Sequence, residues 1–254
     1  ADFSGATPPT TTGVLVNTAA VTGVTPSADN TYKTGDVLTL SVAFNQEVTV
    51  TGAPQIELLI GGETKNAAYT TGTGSSTLIF TYVIEADLED TDGIDVTGAI
   101  DLNTGTIQDA DGINADLAFT PPLTTDIDVD SVAPTVSGAV TAPGIGTYIT
   151  DDVLTFTVTF DEVVNSTNAT LPLTIGSNAR SAALAAASGT GTTTLTFEYT
   201  IAADDRDSDG IDVDPTAIGG SVTDAAGNEA DFSGATPPTT TGVLVNTAAV
   251  TGVT

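Results

Sequence analysis

The sequence predicts an all-β chain of two tandem β-sandwich domains arranged end to end, and three observations carry that expectation. Residues 1–25, ADFSGATPPTTTGVLVNTAAVTGVT, recur letter for letter at 230–254. A diverged version, ADLAFTPPLTTDIDVDSVAPTVSGAV, starts at Ala115 and divides the long period into two sister units of roughly 115 residues each. Inside each unit, short runs alternate apolar and polar residues between Gly, Pro, Asn and Asp, the pattern of half-buried strands joined by tight turns.

Taken in order, the clearest strand of the first unit is 36–44, where Leu38, Leu40, Val42 and Phe44 alternate with Thr39, Ser41 and Ala43. Leu154, Phe156, Val158 and Phe160 repeat the pattern in the second unit. A second pair follows: Leu78, Phe80, Tyr82 and Ile84 in one unit, Leu195, Phe197, Tyr199 and Ile201 in the other. Further strands are expected at 55–60, 66–70, 94–102, 106–109 and 125–130. Seven or eight strands of this length per unit make a β-sandwich. The alanines of 181–187 offer a short helix, but the aligned segment of the first unit reads as extended, and a strand is the preferred reading because tertiary context overrides alanine propensity. Domain boundaries are expected at 16–130 and 131–245, with 1–15 the last strand of a preceding repeat and 246–254 the first strand of a following one.

Composition narrows the function. Against 33 acidic residues stand only Lys33, Lys65, Arg180 and Arg206, a formal net charge of -29. That field repels nucleic acid and anionic membranes and calls for screening by salt or bound cations. Cys, His, Met and Trp are absent, which removes disulfides, thiolate and imidazole metal sites, and the Ser-His-Asp and Cys-His devices. Carboxylates are the only abundant catalytic type left, and no aromatic sugar platform accompanies them, so an enzyme is not expected.

The acids gather in turns. Asp205-Arg206-Asp207-Ser208-Asp209-Gly210-Ile211-Asp212 resembles the first half of a calcium loop, with alternate carboxylates able to converge on one hard cation and a glycine for the tight turn. It lacks the later glutamate and the flanking helices of an EF-hand. Its sister loop keeps Asp90, Asp92, Gly93 and Asp95 but has Leu88 in place of Asp205. A second loop pair carries Asp109 and Asp111 in one unit and Asp224 in the other. At the junction between units, Asp126, Asp128 and Asp130 share one face of an extended segment, whereas the junctions Gly13-Val14-Leu15-Val16-Asn17 and Gly242-Val243-Leu244-Val245-Asn246 carry no acid. Calcium ligation competes at each loop with solvated turns that use Asp and Gly for their conformations, and at the junction with an edge strand whose acids discourage lateral pairing. The matches to N-x-[ST] at Asn165 and Asn168 carry little weight in so threonine-rich a chain.

In their order along the chain, G-D-V-L-T-L-S-V-A-F (35–44), the P-x-I-x-L-x-I strand at 54–60, the strand ending at Tyr82, D-x-D-G-I and D-x-x-G-x-x-A-D resemble the bacterial immunoglobulin-like repeats of giant surface adhesins, such as biofilm-associated proteins and RTX adhesins. The resemblance spans both units. It implies immunoglobulin-like sandwiches in a non-enzymatic extender on the cell surface or in the biofilm matrix, with neighbouring repeats as partners, no direct membrane insertion, and an adhesive tip elsewhere. It also implies calcium, carried most directly by Asp207 and Asp209, Asp90 and Asp92, and Asp128 and Asp130. Each domain is expected to add roughly 40 Å. The alternative is a self-assembling matrix or surface-layer fibre, in which a terminal strand such as 13–24 completes a neighbouring subunit's sheet.

Overall fold

The computed structural model describes residues 18–247; the edge strand expected at 1–15 and all but the first two residues of the one expected at 246–254 lie outside them, and Asn246 ends the last strand of the second unit. The fold is all-β, with one short 3-10 turn (Pro215–Ala217) among the described residues. Two compact units emerge. The first comprises 18–30, 36–83 and 90–129, the second 31–35, 84–89 and 130–247.

The chain begins with β1 (Val21–Thr25), β2 (Asn30–Tyr32), β3 (Val37–Thr51), β4 (Gln55–Ile60), β5 (Glu63–Thr71) and β6 (Ser75–Val83). It goes on to β7 (Glu89–Asp90), β8 (Asp95–Val96), β9 (Thr106–Gln108) and β10 (Ile127–Asp130). One sheet runs β1-β3-β6-β5-β4-β8, with β9 added to β3, and a small sheet runs β2-β10-β7. The later strands repeat this plan: β11 (Gly146–Tyr148), β12 (Val153–Ile175), β13 (Asn178–Leu184), β14 (Thr192–Thr200), β15 (Arg206–Asp207), β16 (Asp212–Val213), β17 (Gly219–Thr223) and β18 (Val243–Asn246). Here the sheets are β13-β14-β12-β16, with β17 on β12, and β11-β18-β15.

Why these residues form these strands follows from their period of two. Leu38, Leu40, Val42 and Phe44 of β3 are all buried, as are Leu154, Phe156, Val158 and Phe160 of β12. Across the ladder they meet the second predicted set, Leu40 opposite Phe80 and Phe156 opposite Phe197. Each such side chain contributes roughly 1.5–3 kcal/mol by leaving water. Both long strands change partners part-way. The β12 register shifts between Thr159 and Val164, and beyond a last pair with β14 at Val164–Thr192 the strand pairs with β13, β16 and β17. In β3 the shift falls between Ala43 and Val48, after which Thr49–Thr51 pair with β9. An irregularity of this kind bends a strand and lets it turn a corner of the sandwich.

Two expectations change in detail. The strand expected over 94–102 is only β8, followed by isolated bridges at Ala99 and Asp101. The break is a change of partner: Thr97 N still donates to the Glu57 carbonyl of β4, residues 98–100 bond instead to 117–119 (Phe119 N to the Gly98 carbonyl at 2.8 Å, Ile100 N to the Leu117 carbonyl at 3.2 Å), and Asp101 returns opposite Gln55, with Gly98 packed so closely that a Cβ would lie 2.9 Å from the Phe119 carbonyl. Of the segment 181–187, residues 181–184 are extended, as preferred, at the end of β13, which pairs with β12 from Thr170–Ala183 to Ile175–Asn178, while 185–188 form a tight turn closed by Ser188 N on the Ala185 carbonyl at 2.9 Å.

Candidate functional site

The two D-x-D-G loops share a scaffold and differ in how their acids are satisfied. In each, the glycine has a left-handed backbone, φ 92° at Gly93 and 110° at Gly210. A Cβ at Gly93 would collide with the Thr124 carbonyl, and one at Gly210 with the Thr240 carbonyl. The motif therefore lets the loop lie directly against the segment that leads into β10 or β18. Thr124 and Thr240 clasp it by donating their hydroxyls to the carbonyls of Ile94 and Ile211.

Asp207 is buried and fully used. Its Oδ2 accepts from Gly176 N at 2.6 Å, and its Oδ1 from Asp209 N at 3.2 Å and Gly210 N at 2.8 Å. Its counterpart Asp90, 6% exposed, accepts from Gly61 N at 2.6 Å through Oδ2, while its buried Oδ1 has no hydrogen-bond partner. Asp90, Asp92, Asp95, Gly61, Thr124 and Thr125 line one cavity of about 240 Å³. An unpaired buried carboxylate oxygen is costly in a folded protein. Asp92 and Asp95 are exposed, as are Asp209 and Asp212 in the sister loop.

Asp205 has a different occupation from the one its motif implies. Its side chain is wholly buried and accepts from Arg180 Nε at 2.8 Å, Tyr199 OH at 2.7 Å and Ala202 N at 2.9 Å. Burial pushes the Asp205 carboxyl up, but the bonds from Tyr199, Ala202 and Arg180 outweigh it and hold the group below the ordinary carboxylate range. Burial and the bond to Asp205 push the Tyr199 phenol up to about 12. Arg180 also reaches the exposed Asp204 at 2.8 Å, and both bonds hold it further in its charged form.

The second loop pair shows the sharpest contrast. In the first unit, Asp109 accepts from Asp111 N at 3.0 Å and Ile113 N at 2.9 Å, and its other oxygen accepts from Gln46 Nε2 at 3.3 Å; Asp111 itself is exposed. In the second unit, Asp224 caps its own turn through Gly227 N at 2.6 Å and Asn228 N at 2.8 Å. Asn228 Nδ2 donates to both Asp224 Oδ2 and the Asp130 carbonyl, each at 2.8 Å. Lys33, in the same unit, donates to the Gly227 carbonyl at 2.6 Å. Where the first unit has Gln46 the second has Glu162, which meets like charge. Burial first, then Asp224, Asp130, Asp161 and Glu89, push the Glu162 carboxyl up. Burial first, then Asp224 and Glu89, do the same to Asp130. Glu89, Asp130, Glu162 and Asp224 thus form a mutually repelling group in the second unit.

Of the junction acids, Asp126 is exposed and precedes β10. Asp128 and Asp130 alternate with buried Ile127 and Val129, and the buried Asp128 Oδ1 has no hydrogen-bond partner. Among the described residues no three Asp or Glu side chains are gathered closely enough to hold a metal ion. Sequence reasoning named Asp130 and Asp224 but missed Glu89 and Glu162. The signal that points to Glu162 is its substitution for glutamine between otherwise matching strands.

No family model matches the chain, and no curated protein matches it. Among solved structures it is similar to a marsupial T cell receptor, at 11% identity over 88% of this chain and 72% of that chain, with a TM-score of 0.24. A likeness of that size carries no argument; the class of the protein, an all-β sandwich with acid-rich loops, rests on its own strands and their pairing. No helix among the described residues is long and apolar enough to cross a membrane.

Proposed function

We propose that this chain is a non-enzymatic structural repeat of a bacterial surface adhesin: an extracellular, calcium-binding extender that holds an adhesive region away from the cell in attachment or biofilm formation. One observation carries the reading. Residues 230–247 complete the second unit through β18, while 18–25, the continuation of the same repeated sequence, open the first unit through β1. Thr247 and Thr18 are the same position of the repeat. The repeated sequence therefore supplies a closing strand at Val243–Asn246 and an opening strand at Val21–Thr25, and in the register of the repeat only Thr18, Ala19 and Ala20 separate the two. Serial units joined without spare chain suit a spacer better than a set of independently tethered modules.

Calcium fits the donors by chemistry, since it takes hard oxygen ligands. As they lie, no three acids of the described residues are close enough to hold the ion, so binding requires Asp92 and Asp95 to close on the orphaned Asp90 oxygen, or Glu89, Asp130, Glu162 and Asp224, which already repel one another, to draw together around it. A divalent charge supplies what these acids lack, a counter-ion to their mutual repulsion. Asp205 is excluded from this set by Arg180.

The test is thermal unfolding in calcium and in excess chelator at matched ionic strength, with magnesium as control. At a calcium concentration about 100 times Kd, binding adds about 2.7 kcal/mol, a rise in Tm on the order of 10 °C for units of this size. Equal Tm in both would remove calcium from the reading and leave the acids to serve solubility and repulsion.

A further inference from the structure

We propose that the surface of the second unit carrying Ile149 and Arg206 docks the first unit of another copy of this chain, which it meets at Ile113, Gln46 and Asp109 and without a metal ion. The inference rests on the serial order of units read above, but on neither calcium nor location. It begins from contacts that the second unit makes with its own segments 31–35 and 84–89. Lys33 Nζ donates to the Gly227 carbonyl at 2.6 Å, beside the buried Asn228. Lys33, Asp87, Gly227, Asn228 and Glu229 line one cavity of about 330 Å³. Asn228 ties this turn to Asp224 Oδ2 and to the Asp130 carbonyl, where Glu89 meets the like charges of Asp130 and Glu162.

Aligning the two units puts a different residue at each of these positions. Ile149 stands where Lys33 does, and Ile113 where Asn228 does. Made singly, either exchange would be costly. Without Lys33 the Gly227 carbonyl loses its donor, and without Asn228 so do Asp224 Oδ2 and the Asp130 carbonyl. Made together, they set one isoleucine opposite another. The charges change in the same sense: Arg206 stands for Glu89, Asn246 for Asp130, Gln46 for Glu162 and Asp109 for Asp224. Four like charges become one cation, one anion and two amides. These changes are divided between two surfaces, Ile149, Arg206 and Asn246 on the second unit and Ile113, Gln46 and Asp109 on the first, and they complement each other only when the two surfaces meet. Both surfaces are open, with Ile149 and Ile113 57% and 42% exposed. Arg206 is exposed too, and forms no ion pair among the described residues. Gln46 Nε2 donates to Asp109 Oδ2 at 3.3 Å, so amide and carboxylate present one acceptor site to it. In a chain of net charge -29, a cation set against that site fixes which surface is accepted, because an acidic one is repelled less here than anywhere else. The contact joins unlike surfaces and does not close on itself, so it propagates in the order in which the repeat itself places the units.

The chain has no cysteine, so introduced thiols report on this contact alone. Full chains carrying Ile149→Cys or Ile113→Cys are oxidised with glutathione disulfide in excess chelator at about 1 mM, the level that a short linker imposes on neighbouring units. Neither chain alone should form disulfide-linked dimers, and their mixture should. Arg206→Glu in the first chain, which copies Glu89 of the sister unit, should slow capture roughly tenfold, and Gln46→Lys added to the second chain should restore it. Because both cysteines replace exposed side chains, each variant should keep the parent Tm, which separates loss of contact from loss of fold. A mixture that yields no more dimer than either chain alone overturns the proposal. So does capture that requires calcium, or capture indifferent to Arg206→Glu. None of these results alters the calcium-dependent Tm of the unaltered chain, so this inference and the extender reading fail separately.

Discussion

A single buried oxygen distinguishes two loops that are nearly the same in sequence. Asp90 Oδ1 has no partner while Asp207 Oδ1 accepts two turn N–H groups, so Asp90→Asn should have opposite effects in two conditions. In chelator it removes an uncompensated buried charge and should leave Tm unchanged or raise it. In calcium it should lose up to about 2.7 kcal/mol of ligand-linked stability at 100 times Kd. Parallel melting curves check both arms, and loss in chelator alone would assign Asp90 a purely structural role. Arg180 provides a second comparison within one side chain. Asp205→Ala removes the wholly buried partner and should cost roughly 3 kcal/mol, whereas Asp204→Ala removes an exposed one and should cost no more than about 0.5 kcal/mol. Because the Asp205 carboxyl is held below its ordinary 3.8, its stabilisation is present above that pH and lost as pH falls through the folded-state value. Denaturant titrations of the second unit below pH 4 should show this loss in the parent chain and less of it in Asp205→Leu, which copies Leu88 of the first unit.

At the scale of elements, the glycine of D-x-D-G is the piece on which a closing segment rests. Gly210→Ala places a Cβ against the Thr240 carbonyl at a left-handed φ and should cost roughly 2–3 kcal/mol, read as a lowered Tm of the second unit. The strands themselves were legible because alternation at period two has one structural solution when one face must be buried: Leu38 to Phe44 and Leu154 to Phe160 face inward as read. The break at Gly98 was not legible, since it depends on residues 117–119, which take over its hydrogen bonds from β4 and which only the fold brings near. The same limit applies to the acids. Asp205 stands in a calcium-like spacing, yet Arg180 on β13 claims it; Glu89 and Glu162 lie far apart in sequence and meet Asp130 and Asp224 only in the folded unit. Spacing along a loop describes neighbours in the chain, and ligation depends on neighbours in space.

At the scale of the molecule, the net charge of -29 sets the response to solution conditions. Salt screening alone should stabilise by the same amount with sodium as with any monovalent cation, while a calcium-specific increment should survive at high sodium chloride because partly buried acids are screened less. The pairing of β18 gives the chain a mechanical property as well. Its partner β11 runs parallel to it over Gly146 to Tyr148, and tension applied beyond Asn246 pulls along the strand, across the direction of its hydrogen bonds. Those bonds then share the load instead of parting one after another, as they would in a seam peeled from its end. Such a seam fails at a rate set by a barrier, so the second unit should withstand a brief tug better than a slow, sustained pull of the same strength.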